Sequence, residues 1–199
     1  MRRMEIDIHV ARSAPRADAR SGVVRVRRAR VEDADALVRL RAVMFTAMGM
    51  DVGPPEAAWW EAAKEWFVGR LAVPGEFAAY VVDDPELGVV SVAVGDCDRR
   101  APGPTSPSGL YGHVSNVCTD PRRLRLGYAR ACLEALLGWF EAETEARVVN
   151  LNATADGGGL YRALGFDTPR HPALQLRLTG HIPSASPVSS VSTVTASGG

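Results

Sequence analysis

The sequence has few cysteines, no net charge and no long apolar run, and each of these shortages excludes a class of protein. Its three cysteines have no C-x-x-C spacing, which argues against a disulfide framework and against a zinc site. A formal net charge of +0 gives no general attraction to nucleic acid or to a membrane surface. The longest uncharged apolar stretch, residues 87–95, is too short to cross a bilayer. We therefore predict a cytoplasmic protein without a metal, a signal peptide, or a nucleic-acid or membrane partner.

Positive charge is nevertheless concentrated at the beginning of the chain. Residues 1–30 contain nine arginines against three acidic residues. We predict that residues 1–21 form a disordered basic arm and that the Ser/Thr-rich residues 180–199 form a disordered tail. Such an arm is most often a solvated segment; binding of nucleic acid is the alternative, and the arm lacks the interleaved aromatic residues that would favour it.

Between these ends, strand and helix periodicities alternate. Period-two patterns predict strands over 23–28, 77–82, 89–94, 112–119, 147–152 and 173–178. Helical spacing predicts helices over 31–48, from Pro54 through Phe67, over 128–143 and over 160–164. The order β-α-α-β-β-β-α-β-α-β indicates one α/β domain over residues 22–179, with a mixed sheet that is antiparallel early and partly parallel late.

The most informative segment is a basic turn at residues 119–130, where a strand ends and a long helix begins. Backbone N–H groups at a helix start are unpaired and carry partial positive charge, which suits an anion. Gly127 would let the backbone approach a ligand closely, and Ala129 would keep the first turn small. Arginines add charge for phosphate groups at four positions: Arg122, Arg123, Arg125 and Arg130. A plain connection with a surface arginine cluster is the alternative.

This turn resembles motif A of the GNAT N-acetyltransferase superfamily, whose pattern is Arg/Gln-x-x-Gly-x-Gly/Ala. Leu124 stands at the first position instead of Arg or Gln, and Arg123 or Arg125 would supply the missing charge. A second segment is similar to motif B of the same family, a strand at 148–154 followed by the helix sequence LYRALGF at 160–166. The two motifs occur in the family's order, and the resemblance extends over roughly residues 23–178.

The resemblance implies the GNAT fold, a mixed sheet of six to seven strands flanked by about four helices, with a splayed pair of parallel strands. It also implies acetyl-CoA as co-substrate. The backbones of Val117, Cys118 and Thr119 would pair with the pantetheine amides, while Asn152 and Tyr161 would flank the pantetheine and the thioester. The pyrophosphate would be held by the turn, at Arg125, Leu126, Gly127, Tyr128, Ala129 and Arg130.

Three side chains are candidates for proton transfer on the same resemblance. Tyr161 would be the acid for the departing thiolate, His113 the base for the amine, and Ser115 a water relay. An even spacing would put His113 and Val117 on one face of their strand, with a backbone N–H near Val117 for the oxyanion. Asp96 and Asp98 are alternatives, as water-relay residues or as ligands of a cationic acceptor. A packing role for Tyr161 and a structural role for His113 also stay open.

The predicted function is therefore transfer of an acetyl group from acetyl-CoA to a primary amine by direct attack. The acceptor stays open among antibiotic, polyamine, amino acid and protein N-terminus, and we expect the first two helices and the loop 99–108 to select it. A non-catalytic acyl-CoA-binding regulatory module is the rival from another class. Folds of this family often dimerise, so a homodimer is also among the expectations.

Overall fold

The computed structural model describes residues 25–73, 75–171 and 173–176. The predicted arm at 1–21 and the predicted tail at 180–199 lie outside the described residues. Contacts divide the chain into a large unit that ends at Gly165 and a small one that begins at Phe166. The predicted last strand is not formed over 173–176, and its residues 177 and 178 lie outside the described part of the chain.

The large unit contains a five-stranded sheet in the order β1-β2-β3-β4-β5. Neighbouring strands are antiparallel except for the last pair, β4 and β5, which is parallel. This confirms the α/β class and the mixed sheet, but the predicted count of six to seven strands is not reached within the described residues. The strands are β1 Val26–Arg28, β2 Phe77–Asp84, β3 Gly88–Arg99, β4 Leu110–Thr119 and β5 Val149–Leu151.

The described residues form four helices, the expected number: α1 Ala34–Ala47, α2 Ala58–Ala72, α3 Tyr128–Glu143 and α4 Gly158–Ala163. The second helix begins later than predicted, because Pro54 opens a turn that the Ala57 N–H closes onto the Pro54 carbonyl at 2.9 Å. Short 3₁₀ turns, Val31–Asp33 and Pro121–Arg123, precede α1 and α3.

Both faces of the sheet are buried, and different helices cover them. On one face Leu37 and Leu40 of α1 and Phe67 of α2 pack in one cluster with Val81 and Val92 of the central strands. The opposite face meets α3, whose Leu133, Leu136 and Phe140 are buried. Burial on both faces explains why β2 and β3 read as nearly continuous apolar runs.

Close packing of α3 on the sheet depends on glycine at position 112. A Cβ added to Gly112 would lie 2.6 Å from Cε1 of Phe140. We expect Gly112→Ala to lower the free energy of unfolding by about 1–3 kcal/mol, because the ring has to move within a filled core. Urea denaturation checks the prediction. Gly138→Ala is the matched control: the added Cβ meets nothing within 4 Å, and alanine in a helix interior should raise stability by about 0.5–1 kcal/mol.

Strand β4 positions the site because its pairing with β5 ends early. The parallel register covers only Gly112 to Val114, opposite Val149 to Leu151, while β4 continues to Thr119. Beyond Val114 that edge of β4 has no strand beside it within the described residues. β5 ends at Leu151, so residues 115–119 of β4 continue without a parallel neighbour among the described residues, and the splaying that the resemblance implies stays a prediction.

A β-bulge interrupts β4 on its other side. Ser115 pairs with Val94 and Cys118 with Val92, so two residues of β4 oppose one residue of β3. Directly paired residues share a face, and Val92 and Val94 lie two apart on β3; Ser115 and Cys118 therefore share a face although they lie three apart. The prediction that even spacing puts His113 and Val117 on one face is wrong, because the bulge inserts a residue between them.

Candidate active site

A groove with a volume of about 570 Å³ lies along β4 and continues beyond the end of β5. Residues 113–119 of β4 form one wall, and Asn152 and Tyr161, beyond the end of β5, form the other. Met44 and Phe45 of α1 also line the groove, as does Ala129 at the start of α3. The groove thus runs from the middle of β4 to the helix start, beside a strand edge that can pair with an extended ligand.

At one end of the groove, the start of α3 offers free backbone donors. Gly127 is the N-cap residue, with φ 79°, and no side chain from the described residues caps the helix. The first intrahelical bond runs from the Ala131 N–H to the Gly127 carbonyl at 3.0 Å, so the N–H groups of residues 128–130 point out of the helix start. A Cβ at Gly127 would meet nothing within 4 Å, so the described residues do not pack against that side of the turn. An anion fits this arrangement.

Two arginines of the turn, Arg122 and Arg123, pair with carboxylates of the fold. This corrects the prediction that they add charge for phosphates. Arg122 donates to the buried Asp120 carboxylate from Nε at 2.9 Å and from Nη2 at 2.8 Å. Arg123 donates to Asp84 from Nε at 2.6 Å and to Glu86 from Nη2 at 2.7 Å. Hydrogen bonds from Arg122 hold the pKa of Asp120 well below its usual range, so the pair stays ionised. Both arginines fix the shape of the turn.

Arg125 and Arg130 are the arginines of the turn that no buried carboxylate among the described residues neutralises. Arg125 is exposed and forms no ion pair with any residue described. Arg130 pairs with Glu134 one helical turn later at 2.9 Å, but both side chains are about half exposed and such surface pairs are weak. Of the two candidates for the missing motif charge, Arg125 is the one that the geometry leaves free.

Backbone strain is concentrated along the groove. Among the residues described, only Asn116 (φ 49°) and Arg125 (φ 62°) combine a side chain with a left-handed backbone. Asn116 lies in the bulge of β4, and Arg125 lies two residues before the N-cap glycine. Such conformations cost about 1–3 kcal/mol each and cluster at ligand sites. The strain therefore points to binding at both the middle and the helix end of the groove.

Tyr161 projects from α4 into the groove over a glycine. A Cβ on Gly157 would lie 2.9 Å from Cε2 of Tyr161, so only glycine lets the ring lie this close to the backbone. Burial raises the pKa of the Tyr161 hydroxyl above its ordinary value near 10. The hydroxyl is therefore protonated at neutral pH and able to act as a proton donor.

His113 lies opposite Asp96 on β3, and the two form a directly paired cross-strand couple. Burial raises the pKa of Asp96, while the nearby His113 opposes that change. His113 and Ser115 both line the groove. The end of the groove away from α3 therefore holds a histidine and a hydroxyl, and the half-buried Asp96 pairs with that histidine from the neighbouring strand without lining the groove. Such a set can accept or relay a proton.

Comparison with known proteins identifies the architecture. No protein-family model and no curated protein matches the sequence. A predicted acetyltransferase from Clostridium acetobutylicum, solved with acetyl-CoA, superposes with a TM-score of 0.69 at 21% identity, covering 80% of this chain and 99% of that one. A GCN5-related N-acetyltransferase from Ralstonia eutropha JMP134 superposes with a TM-score of 0.65 at 21% identity, covering 77% of this chain and 98% of that one. The chain has the fold of the GCN5-related N-acetyltransferases.

A more distant neighbour supports the same assignment. Glucosamine-6-phosphate N-acetyltransferase from Arabidopsis thaliana superposes with a TM-score of 0.59 at 12% identity, over 78% of this chain and 99% of that one. The resemblance drawn from the two sequence motifs is thus confirmed at the level of the GNAT fold.

Most of the residues predicted for the site line one groove of this GNAT fold. The residues brought together there are His113, Ser115, Val117, Cys118, Thr119, Ala129, Asn152 and Tyr161. The rest of the predicted set lies in the turn beside it, at Arg125, Leu126, Gly127, Tyr128 and Arg130. Asp98, an alternative relay residue, is exposed near the end of β3 and does not line the groove.

Sequence reasoning missed two polar residues of the groove, Arg41 and Asn116. Arg41 on α1 donates from Nη1 to Oδ1 of Asn116 at 2.9 Å. A signal for Arg41 was present, because it lies four residues after Leu37 and three before Met44, on the apolar face of the helix. Asn116 gave no signal, since a bulge is not visible in the alternation of a single strand.

The described part of the GNAT fold has neither a metal-binding cluster nor a membrane-spanning helix. There, no group of three or more His, Cys, Asp or Glu side chains is arranged to hold a metal ion. None of the helices described has the length and apolar character needed to cross a membrane.

Proposed function

We propose that this chain is an N-acetyltransferase that transfers an acetyl group from acetyl-CoA to a primary amine by direct attack. The observation that carries the proposal is the groove itself, which joins an open strand edge to an uncapped helix start through a left-handed glycine. Acetyltransferases are among the neighbours of the same fold, and one of them was solved with acetyl-CoA.

In this proposal the coenzyme lies along the open edge of β4. Its pantetheine amides pair with the backbone of Val117, Cys118 and Thr119, in the way that an added strand would pair. Its diphosphate receives hydrogen bonds from the N–H groups of residues 128–130 and charge from Arg125 and Arg130. Asn152 and Tyr161 flank the pantetheine and the thioester from the opposite wall.

The acetyl transfer needs a base, an oxyanion donor and an acid. An alkylammonium, with a pKa near ~10.4, has no lone pair, so His113 takes its proton directly or through water held by Ser115. The amine nitrogen bonds to the thioester carbon, and a backbone N–H near Val117 stabilises the oxygen that becomes negative. The carbonyl re-forms as the C–S bond breaks, and the departing sulfur takes the proton of the Tyr161 hydroxyl. The nitrogen, positively charged after attack, loses its second proton, which restores the Tyr161 hydroxyl and leaves a neutral amide.

Direct attack is favoured over a covalent acyl-enzyme because the thiols are unsuited to nucleophilic attack. Cys97, Cys118 and Cys132 are all buried. Burial raises the pKa of Cys118, which lines the groove, to about 11, so the thiol is protonated at neutral pH. A thiol nucleophile needs the opposite change, a lowered pKa.

Release of free thiol tests the proposed reaction. The full-length protein is incubated with acetyl-CoA and a panel of an antibiotic, a polyamine, an amino acid and a peptide with a free N-terminus. We expect thiol release that requires one of these amines, together with the acetylated amine in a mass spectrum. Tight coenzyme A binding without amine-dependent release would instead indicate the non-catalytic regulatory module.

The remaining expectations belong to the same proposal. We infer that the enzyme works in the cytoplasm, where acetyl-CoA is available, and that it acts without a metal. A homodimer formed through a sheet edge is the expected assembly, which sedimentation would show.

A further inference from the structure

A second cavity adjoins the groove and has a different character. Its volume is about 440 Å³, within the size range of small-molecule sites. The apolar side chains of Ala63, Trp66 and Phe67 on α2 line it. Arg41 and Ser115 line both the groove and this second cavity. The second cavity therefore adjoins the groove at Arg41 and Ser115.

Arg41 brings a positive charge to this junction that no acidic side chain neutralises. The guanidinium is half-buried, and it forms no ion pair with any residue in the described ranges. Arg27, Arg39 and Arg123, in comparison, each bind a carboxylate of the fold. A partly buried charge without a counterion is unfavourable, so an arginine kept in this state needs a reason other than stability.

The position of Arg41 is fixed by neutral groups, which leaves its charge available. Nη1 donates to Oδ1 of Asn116 at 2.9 Å, and the guanidinium carbon lies 4.6 Å from the ring centroid of Phe45. Its other nitrogens make no hydrogen bond to a described residue, and they are not among the buried unpartnered atoms, so they face accessible space. Asn116, 4% exposed, is held in turn by the strained bulge, and its Nδ2 has no hydrogen-bond partner.

Asp96 supplies the opposite charge in the same cavity. Its carboxylate lines the cavity with Arg41, yet no ion pair joins the two side chains. The cavity therefore presents a cation, a carboxylate and an apolar surface at separate places. A molecule with a carboxylate, an ammonium group and an apolar side chain complements all three at once.

We propose that the acetyl acceptor is an apolar amino acid or a close analogue, whose carboxylate binds Arg41 and whose ammonium lies beside Asp96. This inference rests on the proposed acetyl transfer and names the substrate class of that site. The apolar side chain packs on Trp66 and Phe67, while the amine is directed past Ser115 towards the groove. Asn116 is a positioning residue, because it acts by holding the Arg41 guanidinium.

The test compares two amines that differ by a carboxylate, L-phenylalanine and 2-phenylethylamine. With the wild-type protein, kcat/KM should be at least roughly 10-fold higher for L-phenylalanine. Arg41→Gln should raise the KM for L-phenylalanine by roughly 10–100-fold and change kcat/KM for 2-phenylethylamine less than about 3-fold. Arg41→Lys should recover part of the loss, because it restores the charge without the planar fork.

The control is Arg28→Gln, which removes an arginine that pairs with Glu143 at 2.9 Å and lines neither cavity. For Arg28→Gln, kcat/KM with each of the two amines should stay within about 2-fold of the wild-type value. Equal use of the two amines by the wild-type protein, or an equal loss for both in Arg41→Gln, would overturn the carboxylate subsite.

Failure of acetyl transfer itself has a different signature. If no amine releases thiol, calorimetry still tests the subsite by titrating each of the two amines into the protein saturated with coenzyme A. Binding of L-phenylalanine that Arg41→Gln abolishes would support the subsite while removing the proposed catalysis. Absence of L-phenylalanine binding, or binding that Arg41→Gln leaves unchanged, would overturn the subsite as well.

Discussion

Replacing Tyr161 by phenylalanine is expected to lower kcat by roughly 10²–10⁴-fold, with coenzyme A affinity within about 3-fold of wild type. The hydroxyl is the part of this side chain that we assign to chemistry, since it would protonate the departing sulfur. Phenylalanine keeps the ring that packs over Gly157, so the fold of α4 should survive the change. Burial raises the pKa of Tyr161, so the proton to be donated is present at neutral pH.

Steady-state kinetics with saturating acetyl-CoA measure the effect, and Tyr80→Phe is the matched control. Burial likewise raises the pKa of the Tyr80 hydroxyl, but Tyr80 lies on β2 and does not line the groove. The kcat of the Tyr80→Phe control should stay within about 2-fold of the wild-type value. If the Tyr161→Phe enzyme keeps activity within a few-fold of wild type, the acid role is excluded and Tyr161 serves in packing only.

His113→Ala should lower kcat by a factor of the same order as Tyr161→Phe does, because His113 is the assigned base. The two variants should differ in their response to pH. Without His113, activity should rise as the pH approaches the pKa of the free amine, since the fraction of neutral amine then limits the rate. Normal activity in both variants would reject both proton-transfer assignments together.

The second large effect is expected on coenzyme A binding when Gly127 becomes valine. A β-branched residue disfavours φ near 79°, so the turn should change and withdraw the N–H groups of residues 128–130 from the diphosphate. Loss of one or two charge-assisted hydrogen bonds corresponds to roughly 10–100-fold in the dissociation constant. Titration of the variant with coenzyme A measures this change.

Two further variants separate binding from general strain. Gly75→Ala also places a side chain at positive φ in open space, but Gly75 precedes β2, at the end of the sheet away from this turn. It should lower stability and leave the dissociation constant unchanged. Arg125→Gln keeps the backbone and removes one charge, so it should weaken binding less than Gly127→Val does, by an amount that shrinks as salt concentration rises. Equal affinity in Gly127→Val and wild type would exclude the turn from the coenzyme site.

Much of the fold could be predicted because its elements carry local signals. The apolar spacing in α3 from Cys132 to Phe140, and the nearly continuous apolar runs of β2 and β3, are fixed by burial against a neighbour. The turn at Gly127 could be predicted because the strand end before it and the helix start after it are visible in the sequence. The late start of α2 was missed because a proline pair suits a turn as well as a first helical turn.

The rest of the site depends on contacts that only the folded chain reveals. Arg122 and Arg123 look equivalent to Arg125 in sequence, yet Asp120 and Asp84 neutralise the first two after the turn has folded. The bulge at Asn116 arises from a register between two strands, which no single strand encodes. For that reason the prediction that even spacing along β4 puts His113 and Val117 on one face was wrong. The charge of Arg41, which has no acidic partner among the described residues, was not foreseen either.

The most direct test of the central claim is titration calorimetry of coenzyme A into the folded wild-type protein, with Gly127→Val and Tyr161→Phe in parallel. The groove of β4 and α3 predicts saturable heat with one coenzyme per chain. It predicts affinity at least about 10-fold weaker in Gly127→Val and close to wild type in Tyr161→Phe. No heat at millimolar coenzyme A, with circular dichroism showing that the protein is folded, would contradict it.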